Sequence, residues 1–518
     1  MNVTTTPRRP RGLAPARQVD ASSVTISQTT QRNVLIVDLN NFASFPTLAI
    51  GLITAALRNR GAKVEVLSPL AHDVPAVERE RRETILDHVQ RRIHLSDMPG
   101  TAGLRDMARA MRLKWRERPH RVVLREVSVA LARRPDAVLL SAYLQHFESV
   151  KAIAAMARER GIPVLLGGPM FNLGQVADEW RALPGLTAVV GAEMDRDLPD
   201  VLETLLEGGD LAQHPGVVLP DGRRSLAAPP LRRLDDTPIP DFTDFPWDRY
   251  PVRIVPIMTG RGCQWDKCMF CSDVISASGR TFRTRSVDSV LLEMQEQAHR
   301  HGTTNFLFLD LKLNSWPGMM RGIASGIGRY VQGAEWIGTV HVDRRKDNGL
   351  SRADLERAVE GGMRRISFGL ESGSQALLDA MRKGSDVSRN SRFILDAYAA
   401  GLSVRCTMFK GFPGETARDM ELTADFLERH AHALDRVRFN DFSLQTGTPI
   451  WQAMRDHAGP GADVIITAPQ NRRARALYAH STPRDPAYRR AKARALAVVR
   501  AINGRELRDS SRQFDGLM

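Results

Sequence analysis

Three of the four cysteines in this 518-residue chain lie close together, at Cys263, Cys268 and Cys271. The loop that carries them is opened by Gly260 and Gly262. Thiolates favour zinc, copper(I) and iron–sulfur clusters, and a structural zinc site needs four ligands, commonly as two separated pairs. We find no second Cys-x2-Cys or His pair near enough to complete a zinc site. The spacing therefore favours an iron–sulfur cluster.

A cluster held by three cysteines has an open coordination position. A [4Fe–4S] cluster normally takes four cysteine ligands, so three leave one iron free to bind a substrate or cofactor. An open iron indicates catalysis rather than scaffolding. The alternative, that these are small buried hydrophobic residues, is disfavoured by their clustering beside glycine and charged residues. The fourth cysteine, Cys406, lies within a strand-like run, which favours packing over ligation or methyl relay.

The composition excludes several classes of protein. With 42% hydrophobic and 25% charged residues, the chain is typical of folded globular proteins and long enough for two or three domains. No apolar run is long enough to span a bilayer, and the start lacks the apolar core of a secretory signal. Few cysteines argue against a disulfide framework and fit a reducing compartment. We therefore expect a cytoplasmic protein with no membrane partner.

The net charge of +14 is concentrated at the two ends of the chain. Residues 1–31 hold four Arg against one Asp, and residues 470–518 hold eleven Arg and one Lys against four acidic residues. A nucleic-acid-binding module would interleave aromatic with basic residues, so a solvated basic helix is preferred and nucleic acid is not an expected partner. We expect residues 1–31 to be a disordered tail, because they have too few large apolar residues to bury a core.

Strand and helix patterns alternate over residues 32–228. This alternation predicts an α/β fold with a doubly wound, Rossmann-like parallel sheet, and such sheets bind ligands at the carboxyl ends of their strands. Gly167 and Gly168 follow one predicted strand and would let a planar ligand approach the backbone closely. A charged, helix-favouring segment at about 71–134 interrupts the pattern and is interpreted as a helical insertion.

A proline-rich, acidic linker at residues 229–250 separates this array from a second one. Six strand–helix repeats over residues 251–455 predict a partial (β/α)6 TIM-type barrel, followed by a helical, Arg-rich region at residues 456–518. In such barrels, functional residues lie at the carboxyl ends of the strands. The residues that fall there are Cys263, Asp310, Glu371, Gly411 and Glu415.

The cysteine loop resembles the signature of the radical S-adenosylmethionine (SAM) enzymes, which is Cys-x3-Cys-x2-Cys with an aromatic residue before the last cysteine. Phe270 holds the aromatic position, but the first interval is one residue longer here, Cys263-x4-Cys268. Two further runs match segments of the same enzymes, Gly369-Leu-Glu-Ser-Gly-Ser374 and Gly411-Phe-Pro-Gly-Glu-Thr416. The resemblance implies that the three clustered cysteines hold a [4Fe–4S] cluster with SAM at its open iron.

Three residues are candidates to bind SAM by this resemblance. Glu371 would accept hydrogen bonds from its hydroxyl or amino groups, and Asp310 would pair with its ammonium group, because ionised acceptors make the stronger hydrogen bonds. Phe270 would contact adenine, with ordinary packing as an equal alternative. A helix cap or core ion pair is the alternative for Asp310, and a helix cap is the preferred interpretation of Glu415.

Residues 33–225 resemble the cobalamin-binding domain that precedes the radical SAM domain in one large subfamily. The resemblance is carried by short runs at residues 141–144, 166–169 and 191–193. The Asp-x-His-x-x-Gly sequence that supplies a histidine to cobalt in other cobalamin proteins is absent, so cobalamin would bind without it. A doubly wound domain with another ligand, or none, is the alternative. The candidate contacts are Ser141, Leu144, Gly167, Gly168, Gly191 and Glu193.

The combined resemblance implies a cobalamin-dependent radical SAM enzyme, most simply a methyltransferase acting on an unactivated carbon or phosphorus of a small-molecule or peptide natural product. The reduced cluster would cleave SAM, the resulting radical would abstract hydrogen, and methylcobalamin would donate the methyl group. A reductase, flavodoxin or ferredoxin would supply the electrons. In the resembled family the C-terminal region often closes the barrel mouth, and we hypothesise the same here.

Several alternatives stay open at this point. The altered cysteine spacing gives weight to transfer of a 3-amino-3-carboxypropyl fragment of SAM, and similar domain pairs also perform radical rearrangements without methylation. A tRNA methylthiotransferase is disfavoured because the three further cluster cysteines of those enzymes are missing from the N-terminal domain. A non-catalytic cobalamin or metal-binding sensor is the alternative from another class.

Overall fold

The structure is a computed structural model in which residues from Arg32 onward form one unit. The expectation of disorder for residues 1–31 falls outside the described residues, apart from Gln31. The described ranges are 31–76, 81–98, 102–271, 282–461, 464–479 and 482–517.

The N-terminal array is built on a six-stranded sheet. Its strands are β1 (Asn33–Asp38), β2 (Lys63–Leu67), β3 (Ala137–Ser141), β4 (Val164–Gly167), β5 (Ala188–Val190) and β6 (Val217–Val218). They follow the order β2-β1-β3-β4-β5-β6, and every neighbouring pair is parallel except β5–β6. The doubly wound prediction is confirmed. In this topology ligands bind where the strand order reverses, between the ends of β1 and β3.

In the described part of the chain, seven α-helices accompany this sheet. They are α1 (Leu48–Asn59), α2 (Ile85–His94), α3 (Ala102–Arg116), α4 (Arg121–Ala132), α5 (Phe147–Arg158), α6 (Gly174–Arg181) and α7 (Leu198–Leu206). The predicted insertion at 71–134 is too long at its carboxyl end. Helix α4 buries Val127, Ala130 and Leu131 in the core beneath β1 and β3, which makes it the crossover helix of the fold. The insertion proper therefore consists of α2 and α3.

The second array is the predicted partial barrel. Its strands are β7 (Val255–Ile257), β8 (Gly260–Arg261), β9 (Arg283–Thr284), β10 (Asn305–Phe308), β11 (Glu335–Val340), β12 (Met363–Glu371), β13 (Ser403–Lys410) and β14 (Arg436–Asp441). Six of them form a parallel sheet in the order β14-β13-β12-β11-β10-β7, and β8 pairs antiparallel with β9. All six carboxyl ends consequently lie at one mouth, which β7 and β14 flank.

The barrel helices begin with serine or threonine caps at several positions. They are α8 (Val287–His301), α9 (Pro317–Tyr330), α10 (Arg352–Glu360), α11 (Gln375–Ala380), α12 (Val387–Ala399) and α13 (Ala417–His430). Thr416 caps α13 in a capping box with Asp419, so the preferred capping role of Glu415 is wrong. The buried Glu415 carboxylate instead accepts hydrogen bonds from the Gly411 amide and the Tyr488 hydroxyl.

The C-terminal region is not wholly helical, and that part of the prediction is wrong. Two antiparallel strands form a hairpin with a third short strand beside it. The elements are β15 (Leu444–Gln445), α14 (Pro449–Arg455), β16 (Ile465–Gln470), β17 (Arg475–Ala479) and α15 (Pro486–Asn503). Helix α15 packs along α13 and β14 and buries Leu496, Val499 and Ile502, so only one side of this basic helix is solvated.

Tyr488 connects α15 to the barrel, because its buried hydroxyl lies 2.7 Å from Glu415 Oε2. Burial raises the pKa of Glu415 to about 7, while the bonds from Gly411 and Tyr488 lower it. We expect Tyr488→Phe to reduce the free energy of unfolding by about 1–3 kcal/mol in urea denaturation, because a buried acceptor loses its donor. The control is Tyr398→Phe, whose hydroxyl bonds to no described residue. Equal effects in both variants would argue against this contact.

Candidate functional site

The cysteine loop follows β7 and is positioned by Asp310, which lies just after β10. The buried Asp310 carboxylate accepts hydrogen bonds from the Thr259 amide and hydroxyl and the Gly260 amide, over 2.7–3.2 Å. Burial raises the pKa of Asp310 to about 6, and these hydrogen bonds lower it. Asp310 therefore has a structural role in holding the loop, and its contact with SAM stays a prediction.

The three clustered thiols are half-buried and form no disulfide. In the described ranges, no group of three or more His, Cys, Asp or Glu side chains is placed to hold a metal ion. A [4Fe–4S] cluster makes a different demand, because each thiolate binds a separate iron and the cluster keeps the sulfurs apart. Burial raises the pKa of the Cys268 thiol above its ordinary value, and the positive charge of the nearby Lys383 ammonium group partly offsets this rise. The donor set fits a cluster rather than a single ion.

Lys383 and Glu371 form a buried ion pair beside the thiols, with 2.8 Å between Nζ and Oε1. Burial alone lowers the pKa of Lys383, but the charges of Glu371 and Cys268 raise it above its ordinary value. Glu371 ends β12 with φ 60°, in the left-handed region that non-glycine residues rarely adopt. The sequence pointed to Glu371 but not to Lys383. The predicted contact of Glu371 with SAM stays a prediction, and one of its oxygens is engaged by Lys383.

The longer interval between Cys263 and Cys268 is anchored by Trp265. The Trp265 indole nitrogen donates to the Arg382 carbonyl over 2.8 Å. Its ring lies over Gly384, where a Cβ atom would come within 2.1 Å of a ring carbon. Arg382 and Gly384 belong to the segment that follows α11. This segment of the barrel therefore anchors the cysteine loop through Trp265.

The residues on either side of Trp265 complete the anchoring. Gln264 Oε1 accepts a hydrogen bond from Arg345 Nη1 over 2.6 Å. Asp266 adopts φ 46°, which turns the chain within the interval that holds the extra residue. The interval that holds the additional residue thus consists of two anchored side chains followed by a left-handed turn.

Phe270 and parts of the C-terminal region make contacts at the mouth of the barrel. Phe270 meets Phe409 edge-on, with 5.1 Å between ring centres, and its contact with adenine stays a prediction. The Tyr478 hydroxyl donates a hydrogen bond to the Gly411 carbonyl over 2.5 Å. The Ile450 amide donates one to the carbonyl of Met269, in the cysteine loop, over 2.8 Å. The hypothesis that the C-terminal region covers the barrel mouth agrees with these contacts.

A cleft of about 450 Å³ opens beside the cysteine loop. Gln264 lines it from the loop, and Trp316 and Arg345 line it from the barrel. Trp316 is 43% exposed, although large aromatic side chains are usually well buried. The cleft thus places an accessible aromatic surface beside the cysteine loop.

The predicted cobalamin residues lie at the carboxyl ends of neighbouring strands. Ser141 ends β3 and pairs in register with Asp38 of β1 and Gly167 of β4. Gly168 has φ 157°, and a Cβ atom there would lie 2.1 Å from the Ala142 carbonyl oxygen. Packing between adjacent loops is therefore sufficient reason for glycine at position 168.

The next two candidates also have packing roles. A Cβ atom at Gly191 would lie 2.5 Å from the Phe171 carbonyl oxygen. The Leu144 side chain is partly buried and packs on the core beneath β3. Their contacts with cobalamin stay predictions, as do those of Ser141, Gly167 and Gly168.

Glu193 connects the two arrays. Its carboxylate accepts hydrogen bonds from both terminal nitrogens of Arg283, at 2.7 and 3.0 Å, and lies 3.5 Å from Arg261. Asp195, two residues later, binds Arg261 through two hydrogen bonds of 2.7 and 2.9 Å. Arg261 lies in β8, two residues before Cys263. These ion pairs join the loop after β5 directly to the cysteine loop, a link that sequence reasoning missed.

The fold and site define a class of protein in which a doubly wound domain is fastened to a partial barrel that carries three thiols at its mouth. Residues 257–427 match the sequence profile of the Radical SAM superfamily. The matched residues span the cysteine loop and most of the barrel strands, in agreement with the motifs.

Two named methyltransferases are similar in sequence to parts of the chain. It is 26% identical over 330 residues to the uncharacterized methyltransferase PH0819 of Pyrococcus horikoshii, covering 61% of this chain and 69% of that protein. It is 26% identical over 227 residues to bacteriochlorophyllide d C-12(1)-methyltransferase of Chlorobaculum tepidum, covering 42% of this chain and 47% of the relative. The chain thus aligns with about half the length of the second relative.

The fold is shared with a solved methyltransferase. The radical SAM methyltransferase TsrM of Kitasatospora setae, solved with cobalamin and a [4Fe–4S] cluster, superposes with a TM-score of 0.61 at 16% identity, covering 90% of this chain and 89% of TsrM. Another TsrM structure contains its tryptophan substrate and a SAM analogue. At this identity the likeness establishes the two-domain fold.

Gly384→Ala tests the anchoring of the cysteine loop. The added Cβ displaces the Trp265 ring, so we expect reconstituted protein to hold roughly half the iron of the native chain or less. Iron per folded chain is measured by colorimetry, with circular dichroism to verify the fold. Gly401→Ala is the matched control, because Gly401 also has a positive φ, of 99°, but no neighbour within 4 Å. Equal iron in the two variants would contradict the anchoring role.

Glu193→Gln tests the link between the arrays. Burial would raise the pKa of Glu193, but Arg283 and Arg261 hold it below its ordinary 4.5. Such a group contributes stability that is fully present above pH 4.5 and is lost as pH falls through the native pKa. We expect the variant to lose about 1–3 kcal/mol of unfolding free energy at neutral pH.

The loss in Glu193→Gln is expected to shrink as the pH falls from 4.5 through the lower native pKa, because the carboxylate is protonated first in the unfolded chain and then in the native protein. Urea denaturation across this pH range measures it. Glu203→Gln, on the exposed side of α7, serves as the control and should match the native protein throughout. A loss that does not change with pH would contradict the assigned ion pairs.

Proposed function

We propose that the protein is a cobalamin-dependent radical SAM methyltransferase. The observation that carries the proposal is the set of ion pairs from Glu193 and Asp195 to Arg261 and Arg283. They fasten the strand ends of the doubly wound domain to the loop with the three thiols. A methyl donor bound at those strand ends would then lie beside a cluster bound by the thiols, as methyl transfer requires.

The similarities to named proteins support the same reaction. TsrM, which shares the fold over both domains, is a methyltransferase solved with cobalamin and a [4Fe–4S] cluster. The two sequence relatives are also named as methyltransferases. Three proteins with related domains therefore agree on methyl transfer, although their substrates differ or are unnamed.

The residues of the chain have separate tasks in this proposal. The three thiols would hold the cluster, which when bound supplies an electron to SAM at its uncoordinated iron. The Lys383 ammonium would offset the negative charge that thiolates bring into a partly buried site. Asp310 fixes the start of the loop through Thr259 and Gly260. Glu371 and Phe270 would contact SAM from the ends of the adjoining elements.

The surroundings of the loop fit a small-molecule or peptide substrate. The C-terminal hairpin and α14 cover the mouth and would exclude water from reactive species. The cleft beside Gln264 offers the exposed Trp316 ring for substrate binding. We further propose a cytoplasmic location, with a reductase, flavodoxin or ferredoxin as electron donor and without nucleic acid as a partner.

Two alternatives have specific observations on their side. The extra residue between Cys263 and Cys268 favours transfer of another SAM fragment, since it changes the loop that would orient SAM. The basic ends favour a methylthiotransferase, but only one further cysteine, Cys406, exists, and it is buried in β13. Neither alternative accounts for the ion pairs between the arrays, which fit cobalamin and SAM used together.

Anaerobic reconstitution with iron and sulfide tests the proposal. We expect about four irons per chain and, after addition of SAM and reductant, formation of 5′-deoxyadenosine. Cys271→Ala should lose most of the iron and the activity, whereas the control Cys406→Ala should retain both. A protein that binds one zinc and no iron would contradict the proposed enzymatic function. Methylthioadenosine as the sole product would favour transfer of the 3-amino-3-carboxypropyl fragment of SAM.

A further inference from the structure

Helices α2 and α3 each expose a row of apolar side chains, and we call the two rows together the outward face. Its members recur at helical spacing and point to the same side of each helix. Each is between 45% and 71% exposed, and folded proteins rarely expose apolar patches unless they bind a partner or a membrane. The outward face consists of Ile85, Leu86, Val89, Ile93, Leu104, Met107, Met111 and Trp115.

Helix α3 and the residues between α2 and α3 are attached to the barrel. Arg109 of α3 pairs with Asp441 at the end of β14 over 2.5 Å. Asp97, between the two helices, binds Lys410 at the end of β13 over 3.1 Å and also pairs with Lys492 of α15. These contacts fix the orientation of the helices. The outward face consequently points away from the protein, beside the mouth of the barrel.

Exposed cations flank the outward face. Residues 102–121 contain seven Arg and Lys against Asp106 and Glu117, a net charge of +5. Arg112, Lys114 and Arg116 are exposed and form no ion pair with other described residues. Within α3 these cations alternate with the apolar positions. Helix α3 thus combines a Trp-containing apolar side with a basic margin that the protein itself does not neutralise.

We propose that α2 and α3 dock the protein on an anionic lipid bilayer, with the outward face in the boundary between headgroups and acyl chains. Amphipathic helices with Lys and Arg on the polar side and Trp and Leu on the other lie in this boundary. Anionic headgroups complement the flanking cations, each of which adds to binding. No described helix has the length and apolar composition to cross a bilayer, so the attachment is peripheral.

Other occupants of the outward face fit less well. A second copy of the chain would bring its own flanking cations against the first set. Residues 1–31 carry a net charge of +3 and are repelled for the same reason. An electron donor must approach the cysteine loop, which follows β7, whereas α2 and α3 are attached at the far edge of the sheet, on β13 and β14.

The location gives the attachment a consequence for access. Lys410 and Asp441 end strands whose carboxyl ends form the barrel mouth. A bilayer under the outward face would therefore lie next to that mouth, where a membrane-dissolved apolar compound could reach it. The docking itself does not rest on the proposed function, because it involves neither the thiols nor the strand ends of the doubly wound domain.

Vesicle co-sedimentation of the full-length protein tests the docking. We expect binding to vesicles of phosphatidylcholine mixed with phosphatidylglycerol, weakened by salt, and about tenfold less binding to phosphatidylcholine alone. The double variant Met111→Glu, Trp115→Glu should lose about tenfold in binding to the mixed vesicles. Both side chains are exposed, so the fold should persist. Leu226→Glu, at a position 86% exposed and away from the helices, is the matched control and should bind as the native chain does.

Three results would overturn the proposal. The native protein would fail to sediment with the mixed vesicles, or would bind both vesicle types equally. The double variant would bind as the control does. The third result comes from sedimentation velocity without lipid. If the native chain forms a dimer or binds flavodoxin and the double variant does not, the outward face binds a protein partner instead.

Discussion

The ion pairs between Arg261 and Arg283 on one side and Glu193 and Asp195 on the other determine how the two arrays face each other. They are mostly buried and charge-assisted, and Arg261 makes two parallel bonds to Asp195. Because Arg261 lies two residues before Cys263, these ion pairs place the doubly wound domain next to the start of the cysteine loop. One set of contacts thus couples the position of two cofactor sites.

The cysteine loop departs from the common spacing but is not loosely held. Asp310 fixes its start, and Trp265 packs over Gly384 at its centre. Lys383, from the same segment as Gly384, brings an ammonium group next to the thiols and to Glu371. The Gly-Leu-Glu-Ser-Gly-Ser run and the segment after it therefore support the loop that carries the thiols.

Strong local patterns explain what the sequence could predict. Buried parallel strands are continuous apolar runs, so both sheets and the strand ends that carry Cys263 and Glu371 follow from the chain itself. The β16–β17 hairpin was missed because its strands are short and half-exposed, and because Arg472 and Arg473 between them continue the arginine-rich pattern of the region. Pairs such as Glu193–Arg283 join residues 90 positions apart. Such pairs carry no local signal, and neither does the contact of Glu415 with Tyr488, which replaced the expected helix cap.

The central claim is that two cofactors share one protein at the junction that these ion pairs hold. Hydroxocobalamin added anaerobically to the full-length protein with a complete cluster, followed by gel filtration and visible absorption, tests it most directly. The account predicts that about one cobalamin per chain is retained together with the cluster. Protein that keeps its iron and sulfide but releases all cobalamin would contradict the account.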